Sequence, residues 1–258
     1  MIGPARDLRR RLRHRLYRLV YQPEWRRLAP LAGRFAGRRA FIVASGPSVA
    51  AMDLAPLAGE FVVVVNGGVR AVGDTLPQAA MHVCLDNNRY RRFAGEFEAA
   101  ALAHSIPYRI YSWRVRGYWR RLENRAERPY FLLVNPASFG ERGYAGDFAA
   151  GISPGSSVVI AVCQILCFLG FETVYVIGVD LDYSSAGGTY FYAMDALDAV
   201  HEEDAKVQAR RKDMERANDD FALAAAALAP FGTRLVNAGL GGRLESIPRA
   251  AFAELFAA

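Results

Sequence analysis

The chain has 258 residues, is 52% hydrophobic and 22% charged, and carries a formal net charge of +6. That length and apolar content suffice for a full core without metal or disulfide support, and one α/β domain is the expectation. No apolar run reaches the roughly 18 to 20 residues needed to span a bilayer, and no secretory signal pattern follows the N-terminal arginines.

The first element in chain order is basic. Residues 1–40 hold twelve arginines against Asp7 and Glu24, a local net of +10, so the rest of the chain sums to −4. Leu8, Leu12, Leu16, Leu19 and Val20 recur at helical spacing with Tyr17, Tyr21 and Trp25 close by. A basic amphipathic helix of this kind predicts docking of residues 1–30 on an anionic membrane surface, hence a cytoplasmic protein held peripherally at the inner face of the membrane. A second reading packs the helix on its own domain or on another copy of the chain. Nucleic acid is not an expected partner, because no stacking platform or recognition-helix pattern is present. The domain boundary falls at 38/39, with 1–38 as the basic segment and 39–258 as the catalytic unit.

From residue 40 onward, strands are expected at 40–45, 61–66, 81–86, 108–112, 130–134, 173–179 and 233–237, and helices at 89–104, 156–169, about 203–229 and after Pro248. Continuous Val/Ile/Leu runs alternating with helices predict a Rossmann-like, mostly parallel sheet covered on both faces. Five of the runs end in residues suited to touching a ligand: Ser45-Gly46-Pro47-Ser48, Asn66-Gly67-Gly68, Asp86-Asn87-Asn88, Asn135 and Asp180. In open α/β sheets ligands bind outside the carboxyl ends of the strands, so these groups are expected to meet in one crevice. Cys84, Cys163 and Cys167 lie in apolar runs and read as buried free thiols.

The turn after the first strand and the entry Gly155-Ser156-Ser157 into an apolar helix both offer amides and hydroxyls to an anion. Neither G-x-G-x-x-G nor a P-loop occurs, which removes the main support for dinucleotide or P-loop binding. A loop after Asp180 carries Tyr183, Tyr190, Tyr192, the pair Gly187-Gly188 and His201, and reads as a lid with a candidate general base. The stretch Arg114, Arg116, Arg120 and Arg121, interleaved with Trp113, Tyr118 and Trp119, is a candidate contact for an acidic or phosphorylated acceptor, or a solvated basic face.

Taken together, FIVASGPSV, VVVVNGG, HVCLDNN, GSSVVIAVCQILCFLGFETVYVIGVDLDY and LVNAGLGGRLESIPR resemble, in order and spacing, the bacterial lipooligosaccharide sialyltransferases. The same segments resemble the sialyltransferase-like domains of motility accessory factors and the archaeal-type hydroxymethylpterin pyrophosphokinases. The resemblance implies an inverting, metal-independent glycosyltransferase without a cofactor, moving an ulosonic acid from its CMP form to a cell-envelope saccharide such as lipopolysaccharide core. It places donor binding on Ser45, Gly46, Pro47, Ser48, Asn66, Asp86, Asn87, Gly155, Ser156, Ser157, Asp180 and Tyr183. His201 would act as base and Tyr190 or Tyr192 would assist the leaving phosphate. This chain lacks the sialyltransferases' H-Y-x-G-H-like lid stretch, so Asp195, Asp198 and Glu202 stay open as the base. Asp180-Leu181-Asp182 has D-x-D spacing, but the matching family motif is not a metal site. Two alternatives are an ATP- and magnesium-dependent pterin pyrophosphokinase and a catalytically silent nucleotide-binding protein.

Overall fold

The computed structural model describes residues 19–123, 125–134, 148–153, 155–181 and 204–257. Seven strands form one sheet: β1 (Arg39–Val43), β2 (Phe61–Val65), β3 (Met81–Cys84), β4 (Tyr108–Ser112), β5 (Tyr130–Leu132), β6 (Thr173–Ile177) and β7 (Arg234–Asn237). Their order is β5-β4-β3-β2-β1-β6-β7, and every pairing is parallel. The helices are α1 (described from residue 19 to 28), α2 (Asn87–Ala103), the short α3 (Arg116–Trp119), α4 (Val158–Phe168) and α5 (Asp204–Leu228). This is the Rossmann-like α/β architecture expected from the apolar runs.

Because strand side chains alternate between faces, each strand feeds two cores. One face gathers Ala40, Ile42, Val63, Val65, Met81 and Val83 under α4, under Phe221, Ala224 and Leu228 of α5, and under Tyr21, Leu28, Leu31 and Phe35 of the N-terminal segment. The other gathers Phe41, Val43, Val62, Val64, Cys84 and Tyr111 under α2 and the 3-10 turns that connect β1 to β2 and β2 to β3. Eight consecutive residues of α4, Val159 to Leu166, are buried. A helix apolar all round must be covered all round, and α4 touches both β1 and α5. All three cysteines are free thiols, and burial, the largest cause, pushes the Cys84 thiol up to about 12.

One expectation is corrected. The helix expected after Pro248 is a 3-10 turn over Phe252–Phe256. So short a segment cannot propagate a helix on its own, and Phe252 and Phe256 instead lay their rings 6.4 and 5.6 Å from that of Phe41. The described part of the basic N-terminal segment packs on its own domain, the second of the two readings given for it. Tyr21, Leu28, Leu31 and Phe35 belong to the first core, and the Trp25 ring lies 5.6 Å from Phe168 of α4. Among the described residues no helix is long and apolar enough to cross a membrane.

The chain builds outward from β1 to the β5 edge, then returns through α4 to place β6 on the other side of β1. The strand order therefore reverses between β1 and β6. Open α/β sheets bind their ligands beyond the carboxyl ends of the strands at such a switch point.

Candidate functional site

The turn Ser45 to Ser48 sits at this switch point, directly after β1. Gly46 donates its N–H to the carbonyl of Gly178, 2.8 Å away, just past β6. A Cβ on Gly46 would lie 2.5 Å from that same carbonyl oxygen and 2.6 Å from Asp180 Oδ2, so only glycine lets the two strand ends approach this closely. Gly178 has φ +71, and a Cβ there would strike Val49 and the Ala44 carbonyl. Asp180 finishes the clamp: Oδ2 accepts the Ser48 N–H at 2.9 Å and Oδ1 accepts the Ser48 hydroxyl at 2.5 Å. The Asp180 carbonyl in turn accepts the N–H of Arg243 from the loop after β7, at 2.7 Å. Both carboxylate oxygens of Asp180 are thus committed to Ser48, and its part in the site is to hold the turn.

The end of β2 is built differently. Asn66 takes φ +49, a left-handed conformation that asparagine tolerates better than most residues. Its carbonyl is held by His82 Nε2 at 2.9 Å, and His82 Nδ1 meets the Tyr111 hydroxyl at 3.3 Å. The Asn66 carbonyl can only accept, so Nε2 carries the proton and Nδ1 accepts from Tyr111. Burial holds the His82 imidazole down at about 4; the Asn66 hydrogen bond opposes this and the nearby Arg109 charge adds to it. Beside it Glu98, fully buried, accepts from Tyr90 at 3.2 Å, from Arg109 Nη1 at 3.1 Å and from the Ala126 N–H at 3.2 Å. The side-chain oxygen of Asn66 is itself buried and has no partner among the described residues. A buried amide oxygen without a donor is costly unless a ligand or water supplies one.

After β3, Asp86 caps α2, accepting from the Asn88 and Arg89 amides at 2.8 and 3.1 Å. Asn87, the first helical residue, again buries an unpartnered side-chain oxygen. At the next helix start Ser157 caps α4, its hydroxyl accepting the Val159 N–H at 3.3 Å. The Ser156 amide is taken by Asp220 of α5 at 2.8 Å, and Gly155 has φ +60. Upstream, Gln164 of α4 receives the Ser153 N–H at 3.2 Å and returns its own amide to the Ser153 carbonyl at 2.9 Å, which fixes the approach to the helix. Asp220 lies near the α4 start, and α5 continues sixteen residues toward its N-terminus, so it rises about 24 Å above that level.

The parallel sheet puts the Ser45 to Ser48 turn, Asn66, Asp86, Asn87 and Asp180 at the carboxyl edge, as the run endings suggested. Asp86 and Asp180, expected as donor contacts, are engaged as cap and clamp. His82, Gln164 and Asp220 support these positions and were not singled out from sequence. Asn135, Asp182, Tyr183, Tyr190, Tyr192, Asp195, Asp198, His201 and Glu202 lie outside the described residues. Among the described residues no three His, Cys, Asp or Glu side chains gather in a way that would hold a metal.

Neither a family model nor a curated protein matches this sequence. Among solved structures, the MAf glycosyltransferase from Magnetospirillum magneticum AMB-1 is similar with a TM-score of 0.51 at 17% identity, over 87% of this chain and 37% of that one. The chain thus spans well under half the length of that protein. A second similar structure is the sialyltransferase CstII from Campylobacter jejuni in complex with a substrate analogue, cytidine-5'-monophosphate, with a TM-score of 0.48, 10% identity and coverage of 84% and 86%. At these identities the first likeness shows a shared fold.

Proposed function

We infer that this chain is an inverting, metal-independent glycosyltransferase that moves an ulosonic acid, of the sialic or 3-deoxy-octulosonic type, from its CMP form to a cell-envelope saccharide. The observation that carries the reading is the Ser45 to Ser48 turn, clamped by Asp180 at the switch point between β1 and β6. It is supported by the order of the motifs along the chain and by a fold shared with a protein described as a MAf glycosyltransferase. The buried, unpartnered oxygens of Asn66 and Asn87 add two acceptors at the same edge, suited to amino or hydroxyl donors such as those of a cytidine.

In this reading the acceptor hydroxyl oxygen attacks the anomeric carbon from the face opposite the phosphate. The bond from that carbon to the phosphate oxygen breaks, CMP leaves with the electron pair, and His201 takes the hydroxyl proton. Tyr190 or Tyr192 would donate to the departing phosphate.

A thermal-shift series tests it. CMP at a hundredfold excess over its Kd should raise the unfolding midpoint by about 5–10 °C, with no requirement for magnesium. Stabilisation by ATP with magnesium and none by CMP would replace this reading with a pyrophosphokinase. No response to either would indicate a silent protein. For the chemistry, His201→Ala should keep CMP affinity and lose roughly 10² to 10⁴ in transfer rate.

A further inference from the structure

Glu24 is an acidic residue in a strongly basic segment, and α1 buries it to 1% exposure. Three guanidiniums from three segments converge on it. Arg128 Nη2 lies 2.5 Å from Oε1, Arg116 Nη1 lies 3.6 Å from the same oxygen, and Arg27 Nη1 lies 3.7 Å from Oε2. One carboxylate neutralises one cation, so the cluster keeps a surplus of two positive charges. Its arginine side chains remain 32%, 27% and 40% exposed at 27, 116 and 128.

The guanidiniums are fixed in place. Arg27 donates to the carbonyls of Pro129 and Arg128 at 2.8 and 3.2 Å and lies 5.1 Å over the Tyr130 ring. Arg116 lies 5.1 Å over the Trp113 ring. Burial lowers the Arg27 pKa below its ordinary value and repulsion from Arg128 lowers it further, while Glu24 and Tyr130 oppose. The surplus charge is therefore felt within the cluster. Guanidiniums held by stacking and by one edge, with donors left facing water, are preorganised for a bidentate oxyanion.

We propose that Arg27, Arg116 and Arg128, arranged around Glu24, bind the dianion of a phosphate monoester. A dianion cancels the surplus of two charges, whereas a single carboxylate leaves one uncompensated. The cluster sits at the β5 edge, four strand spacings or about 19 Å from β1 at the switch point and two spacings from β3, and it shares no residue with the candidate donor site. It stands whether or not the chain is a glycosyltransferase. Leu19 and Val20 of the same helix are exposed, 75% and 44%. The phosphate can therefore belong to a phosphorylated saccharide or to a lipid headgroup, which share this chemistry.

Calorimetric titration of the full chain with inorganic phosphate and with glucose 6-phosphate, at constant ionic strength, tests the soluble source. Co-sedimentation with phosphatidylcholine vesicles with and without phosphatidic acid tests the lipid source. Saturable binding in either arm, weakened about tenfold by Arg116→Gln, is expected. Binding of glucose 6-phosphate assigns a saccharide and binding only to phosphatidic acid assigns a headgroup. Arg116→Gln leaves the Arg128 to Glu24 hydrogen bond intact. Should that variant fail to fold, Arg116→Lys, which keeps the charge but not the fork, should weaken binding severalfold. No binding in any arm, unchanged binding in the Arg116 variants, or an equal loss in the exposed control Arg91→Gln would overturn the proposal.

Discussion

The two halves of the sheet solve one problem by different means. Around β1, β6 and β7 the chain is held by close backbone approach: Gly46 against Gly178, Asp180 on Ser48, and Arg243 on Asp180. Around β2, β3 and β4 it is held by buried side chains: His82 on Asn66, Tyr111 on His82, and Glu98 on Tyr90 and Arg109. The first half tolerates no added volume but stores little charge. The second accepts volume changes at a moderate cost but depends on complete pairing of buried polar groups. Geometry for a ligand is thus kept by sterics on one side and by electrostatics on the other.

The comparison breaks if substitutions in the two halves behave alike. The largest effect is expected from Glu98→Ala, which leaves the buried Arg109 without its carboxylate and with only the Glu127 carbonyl as acceptor, and should cost about 3–5 kcal/mol in chemical denaturation. A loss under 1 kcal/mol would mean that the pair is hydrated. Next is pH. Because the folded His82 pKa is depressed to about 4 from an unfolded value near 6.5, the unfolded chain binds the extra proton between those limits. Stability present above pH 6.5 should then fall as pH drops toward 4, by about 3 kcal/mol in all. His82→Gln should remove this slope, and identical pH profiles for both proteins would refute it.

In the other half, Gly46→Ala forces the turn away from Gly178 and should cost about 2 kcal/mol while reducing CMP affinity, read by thermal shift with and without nucleotide. Normal CMP affinity in this variant would remove the turn from the site. Smallest is Ser48→Ala, which frees one carboxylate oxygen of Asp180 at a part-buried position and should cost about 1 kcal/mol. Its effect on CMP affinity should exceed that of Glu98→Ala measured below its melting range, if the turn and not the network meets the ligand.

The same contrast explains what the sequence revealed. All seven strands are legible from the sequence, five of them as apolar runs because a parallel sheet buries both faces, and the runs at 61–65 and 173–177 need no context to be recognised. The Ser45 to Ser48 turn is legible from its position after the first run. The partners are not. Nothing local in Asp180 says that Ser48 awaits it 132 residues away, and Ser156 gives no hint of Asp220. His82, in the middle of an apolar strand, reads as an ordinary core residue until Asn66 is seen against it. Ser156 and Ser157 are alike in this respect, since both are good caps by residue type and only the tertiary contact to Asp220 separates them.

The placement of β1 also has a consequence for biosynthesis. Of the seven described strands β1 is the first to leave the ribosome, yet in the finished sheet it lies between β2 and β6, pairing Ala40 with both Phe61 and Val174. Its β2 side is satisfied early. Its β6 side, carrying the apolar AFIV backbone, stays open until Thr173 and beyond have been made, roughly ten seconds later at ordinary elongation rates. An apolar strand edge exposed for that long templates misassociation, and such non-local parallel pairing closes slowly. The β1/β6 switch point, which exists only once β6 docks, therefore matures late, and only β7 is added after it. A nascent chain halted before residue 173 should be held by chaperones or lost to aggregation.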